Sequence, residues 1–221
     1  MSLTYTSGSQ VVGNLWWDLQ VYVSNYESAF QSEIPNFVQL AEQRIYNSVQ
    51  IPAIRKNQTG YVTIGNQYLA LPSDWLATFS LAIINPTSGN YSFLIDKDVN
   101  FIREAFNNPV TLNTPGYYAQ FDYQTLILGP TPDQAYQVEM HYYYYPQSIV
   151  IATTSWLGNN FPEALLYGVL RETGVFMKTE PDILEMYEKK YGEAMDQLKQ
   201  LGDGKNRMDA YRNTQVRVPV K

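Results

Sequence analysis

His141 is the only histidine of this chain, and it stands in the run HYYYYP (141–146) with four of the nineteen tyrosines. An imidazole suits metal ligation or proton transfer. A metal centre needs further nitrogen or sulfur ligands, and the chain offers no second histidine and no cysteine. Asp74, Asp96, Asp98 and Glu104 could supply the paired carboxylates of glycoside hydrolysis, a pairing made in space that sequence spacing does not reveal. Surface or capping roles account for each of them more simply. GDGK at 202–205 resembles a phosphate-binding loop, but Lys199 and Asn206 stand where that loop needs glycine and Ser or Thr. DKD at 96–98 begins like a calcium loop and lacks its sixth-position glycine. Neither G-x-S-x-G nor H-E-x-x-H occurs. No catalytic residue, no metal site and no cofactor is therefore expected.

The elements that would hold these residues change period along the chain. Leu15 to Phe30 spaces Trp16, Leu19, Val23 and Tyr26 or Ala29 as a first helix. In IPNFVQLAEQRIYNSVQ, Pro35 suits a first turn, and Phe37, Val38, Ala41, Ile45 and Val49 recur at steps of three and four. From Tyr61 the period is two. YVTI and QYLA flank a Gly65-Asn66 hairpin turn, WLATFSLAIIN and YSFLI follow as strands, and Val99 to Phe106 forms a short helix. Tyr117 to Phe121 pairs with Thr125 to Leu128, and Ala135 to Tyr145 is the last strand of an antiparallel meander.

In that last strand Tyr136, Val138, Met140, Tyr142 and Tyr144 share the core face. Gln137, Glu139, His141, Tyr143 and Tyr145 share a polar, aromatic outer face. His141, two residues from Glu139, is thus part of a wall. Helical period returns with Leu165, Leu166, Val169 and Phe176, then with Leu184, Tyr187, Tyr191, Ala194, Leu198 and Leu201, and Gly202 reads as a stop. Only Thr179 and Glu180 separate these two helices, so they form an antiparallel pair. The fold class is α+β. Residues 1–60 and 150–202 form a helical bundle built from both chain ends, 61–149 an inserted antiparallel β domain (meander or sandwich), and 203–221 an extended tail.

Composition narrows the function. Charged residues are 16% and aromatics 14%, with tyrosine dominant, a balance suited to surfaces buried against partners. The net charge of -6 argues against general nucleic-acid binding. No signal peptide and no membrane span is visible. The absence of cysteine fits assembly in a reducing compartment.

Three ordered motifs carry a resemblance: IPNFVQLAEQRIY, then LALPSDWL, then the stretch from LILGPTPDQAYQVEMHYYYYP through SWLGNNFPEALLYGVL to YEKKYGEAMDQL. Together, over about residues 12 to 201, they resemble the head-to-tail adaptors of short-tailed phages, the neck-ring subunits also called tail tubular or gatekeeper A-type proteins. Tyr46, Asn47, Ser48 and Val49 depart from the basic continuation common in that family. The resemblance implies a virion protein of the neck, assembled in the host cytoplasm. It implies a homo-oligomeric ring of twelve copies between the portal protein and the tail nozzle protein, with DNA passing the lumen without specific binding.

On that reading Glu42 and Arg44 of the motif helix are candidate subunit contacts, as are Trp16 and Trp17, which one helix face cannot bury equally, and Tyr143 and Tyr145. Asp74 is expected to cap a turn, with Trp75 packed against the bundle. The tail carries Lys205, Arg207, Arg212, Arg217 and Lys221 against Asp203 and Asp209, a net of +3 that leaves -9 on the rest. With Val216, Val218 and Val220 alternating, it is expected to clasp the portal through Arg207, Tyr211, Arg212, Val216, Arg217 and Val218. The alternative is a carbohydrate-binding β-sandwich module, suggested by the tyrosine-rich sheet; a peptidoglycan-cleaving enzyme is a third reading.

Overall fold

The computed structural model describes residues 2–207, with side chains through 202. In chain order the elements are α1 (Leu15–Val23), α2 (Ser28–Ser48), a 3-10 turn (Pro52–Ile54), β1 (Arg55–Tyr61), β2 (Tyr68–Ala70), β3 (Ala77–Ile84), β4 (Tyr91–Phe93), β5 (Ile95–Asp96) and α3 (Val99–Ala105). There follow β6 (Leu112–Asn113), β7 (Tyr117–Gln120), β8 (Thr125–Gly129), β9 (Thr131–Pro132), β10 (Gln137–Tyr143), α4 (Ile149–Ala152), α5 (Trp156–Asn160), α6 (Pro162–Met177) and α7 (Pro181–Arg207). The fold is α+β, and two compact units divide it: one from residues 2–54 with 146–207, the other from 55–145.

The helical unit is organised around α6, which packs against both α2 and α7. Phe30, Ile34, Val38, Ile45, Leu165, Val169 and Leu198 are fully or nearly fully buried there, each burial contributing about 1.5–3 kcal/mol. Gly168 makes the close packing possible, since a Cβ at that position would lie 3.2 Å from the Tyr191 ring and 3.5 Å from Ala41. Four expectations are corrected here. First, α1 stops at Val23, where Ser24 takes a left-handed conformation at φ 50 and its N–H caps Gln20 and Val21. Second, α2 begins at Ser28 and carries Pro35 inside; burying Phe30 and Ile34 outweighs the hydrogen bond that the proline cannot donate. Third, helix returns before the Leu165 stripe: α4 and α5 precede α6, their first turns capped by Ser148 and Ser155. Fourth, Gly202 is no stop: α7 continues to Arg207, and the glycine admits the Gln50 carbonyl, which a Cβ would meet at 3.1 Å. Residues 203–207, expected in the tail, are therefore helical.

The β unit holds two four-stranded sheets, one ordered β1-β10-β3-β4 and the other β2-β8-β7-β5, with β6 and β9 forming a two-stranded pair. This is not a meander. β10 lies between β1 and β3, and the β5–β7 and β6–β9 pairs are parallel. The Gly65 turn exists, with φ at 73, but it joins strands of different sheets and makes no hairpin. YSFLI likewise splits between the sheets as β4 and β5. The β7–β8 hairpin forms as expected. Leu81, Ile83, Leu126, Leu128, Val138, Met140 and Tyr142 make the core shared by the two sheets. On the other side of the second sheet, α3 buries Ile102 against Ala119 and Ile127.

Candidate functional site

The alternation of β10 is realised residue by residue. Tyr136, Val138, Met140 and Tyr142 are buried, while Gln137, Glu139, His141 and Tyr143 are half-buried on the outer face of the first sheet. A bulge between His141 and Tyr142 in the pairing with β3 interrupts the register without changing that assignment. The face is continued by Asn57, Thr59 and Tyr61 of β1 and by Tyr91 and Phe93 of β4, which stand in register with it. Tyr61 is 69% exposed and Phe93 66%.

Glu139 organises the centre of this face. Its Oε1 accepts the Asn57 side-chain N–H at 2.7 Å and lies 3.3 Å from His141 Nε2. The Asn57 amide and then the Tyr91 hydroxyl hold the Glu139 carboxyl below its ordinary value. Among the described residues no cluster of three metal-ligating side chains occurs. At one end of the face Tyr143 meets Phe79 edge-on, with ring centroids 6.0 Å apart, and the Arg55 guanidinium lies over both rings at 4.5 and 5.6 Å. A carboxylate that is hydrogen-bonded on several sides is committed to holding the sheet together, and the aromatics around it offer contact area.

The other candidate residues are dispersed. Trp16 is buried, whereas Trp17 is half-exposed and stacks on Tyr26 at 5.9 Å. Arg44 pairs with Glu172 of α6 at 2.9 Å and stays half-exposed. Tyr145 is exposed. Glu42 is a correction: it is only 3% exposed, and its Oε1 accepts the Ile149 N–H at 3.0 Å, so it is part of the core and offers no surface to a neighbour. Burial raises its pKa against the opposing help of the Ser148 hydroxyl and the Ile149 N–H. Its position was readable, since Glu42 follows Val38 by four and precedes Ile45 by three on the apolar stripe. Arg207 ends α7, and Tyr211, Arg212, Val216, Arg217 and Val218 lie outside the described residues.

Asp74 binds side chains from two strands. It receives the Lys56 ammonium at 2.7 Å and the Tyr142 hydroxyl at 2.9 Å. Trp75 packs on the core of the β unit, its Nε1 donating to Thr78, instead of on the helical bundle. Asp98 caps α3 through the Asn100 N–H at 2.7 Å. The composition of the sequence did not reveal an apolar groove along β1 and β2, because its walls come from two sheets.

No helix among the described residues is long and apolar enough to cross a membrane. None of the curated proteins compared matches the chain. A family model, SU10 adaptor protein, matches residues 17–219. That span takes in both units, so the chain belongs to the SU10 adaptor protein family and is a structural adaptor protein of a phage.

Proposed function

We propose that this chain is the head-to-tail adaptor of a short-tailed phage, with twelve copies forming a ring that joins the portal to the tail nozzle and extends the DNA channel. The family match over residues 17–219 carries this reading. The exposed aromatics Tyr61, Tyr91, Phe93 and Tyr145, with half-exposed Trp17, supply contact area of the kind that copies and neighbours bury. An acidic balance, 21 acidic against 15 basic residues, suits a lumen that lets DNA slide. The C-terminal residues Arg207, Tyr211, Arg212, Val216, Arg217 and Val218 reach the portal in this reading. Native mass of the purified chain alone and with portal rings, followed by negative-stain imaging, tests it. A chain that stays monomeric beside its portal is not an adaptor ring. Exposed Tyr61, Tyr91 and Phe93 on one sheet face also suit sugar stacking, and a glycan array separates that second reading.

A further inference from the structure

A groove of about 140 Å³ runs between β1 and β2, lined by Gln58, Gly60, Leu69, Leu71, Val138 and Met140. Both bordering strands are sheet edges, β1 of the first sheet and β2 of the second. The Val62 N–H donates to the Tyr136 carbonyl at 3.0 Å. Backbone groups alternate along a strand, so those of Arg55, Asn57, Thr59 and Tyr61 point away from β10. Among the described residues no strand pairs with that edge. The edge is seven residues long, has no proline, and its one lysine is held by Asp74. It lacks the usual guards against strand addition.

We propose that, in the absence of the portal, this edge takes residues 214–220 of a second copy as an added parallel strand. The fourteen residues 208–221 contain TQVRVPV, in which Val216, Val218 and Val220 alternate with Gln215, Arg217 and Pro219. The three valines match the apolar groove. Direction follows from the proline. β1 offers its free groups at residues whose side chains lie on the outer face, as Asn57 shows by reaching Glu139. In a parallel ladder such residues bond to partner residues of the inner face, and in an antiparallel ladder to those of the outer face. With valines inward, parallel addition uses the N–H groups of Val216, Val218 and Val220 and turns Pro219, which has none, to solvent. Antiparallel addition would set Pro219 against β1 and lose a bond.

Charge agrees. Residues 208–221 carry Arg212, Arg217 and Lys221 against Asp209, a net of +2, while 55–145 carry four basic and seven acidic residues, a net of -3. A segment on one copy and a groove on the next make a heterologous contact, which gives a ring when its rotation closes; resting on the ring proposed above, this favours a second copy over the chain's own terminus.

The chain has no cysteine, so introduced thiols report cleanly. Full-length Thr59→Cys and Arg217→Cys proteins, mixed without portal and oxidised, should give a covalent 1:1 dimer several-fold above the pair of Asp122→Cys and Arg217→Cys. Adding Val218→Pro to the Arg217→Cys protein removes a needed N–H and should abolish the dimer, while Pro219→Ala should leave it intact. A yield no higher than the control, a Val218→Pro protein that still crosslinks, a Pro219→Ala protein that does not, or an intramolecular disulfide in the diluted doubly substituted chain overturns the proposal. Portal is absent throughout, so failure here leaves the adaptor reading standing.

Discussion

Glu42 accepts the backbone N–H of Ile149 at 3.0 Å, tying the middle of α2 to the first turn of α4 across 107 positions of sequence. The bond anchors the chain where it re-enters the helical unit. Glu42→Ala would leave that buried N–H unpaired and should cost about 1–3 kcal/mol in urea unfolding. Glu42→Gln keeps an acceptor and should cost far less. The carboxyl is raised above its ordinary 4.5 in the fold, so the folded state binds more protons and stability falls as pH rises from 4.5 through the folded value. Unfolding measured across that window should lose this component of its slope in Glu42→Gln.

Tyr142 gives the opposite sign. Its ring is fully buried while its hydroxyl donates to Asp74 at 2.9 Å, and Asp74 is held below 3.8 chiefly by Lys56. Tyr142→Phe should cost about 1.5–3 kcal/mol at neutral pH, the range for a hydrogen bond to a charged group. Asp74 contributes stability above its ordinary value and loses it as pH falls through the lower folded one, so the Tyr142→Phe deficit should shrink in acid. Lys56→Met should cost far less, because that ion pair is half-exposed and screened by solvent. Paired denaturation curves at neutral and acidic pH check both.

Two glycines of α7 should respond in opposite directions. A Cβ at Gly192 meets nothing within 4 Å, so Gly192→Ala should stabilise by about 0.5–1 kcal/mol through helix propensity. At Gly202 the same methyl meets the Gln50 carbonyl at 3.1 Å, and Gly202→Ala should fail to raise the melting temperature. Equal gains at both sites would mean that α7 does not pass Gln50 closely.

This pair of glycines shows what was legible. Period located α6 and α7, and the alternation of 136–143 placed its two faces, because one residue's neighbours along the chain suffice for either. Gly202 and Pro35 misled because each is a strong local signal overruled by packing: Ile34 is buried beside Pro35, and Gly202 is buried against the Gln50 carbonyl. The Gly65 turn was correctly read as a turn and wrongly as a hairpin, since a bend does not say where its strands find partners. The wall around His141 could be recognised from face and neighbour; the groove between β1 and β2 could not, because Leu69 and Met140 meet only through the pairing of distant strands.

Removal of residues 208–221 takes away none of the packing described above, so it should leave the melting temperature unchanged, and it should abolish joining to portal rings. Native mass and negative-stain imaging of the mixture read the outcome. Phe93→Asp, on an exposed edge strand, should likewise preserve stability while weakening association.

The isolated chain should not retain duplex DNA at micromolar concentration and physiological salt, given its net charge of -6. A mobility shift under those conditions would contradict a sliding channel.

β10 sits between β1 and β3, so the first sheet lacks its central strand until Tyr143 has left the ribosome. Until then Arg55–Tyr61 waits unpaired and Ala77–Ile84 has only Tyr91–Phe93 to pair with, although the β7–β8 hairpin can close as soon as it emerges. The helical unit waits longer, because α2 needs α6. Synthesis therefore completes the fold from the inside outward, and the most recently made residues come last, when a finished subunit is ready to meet another.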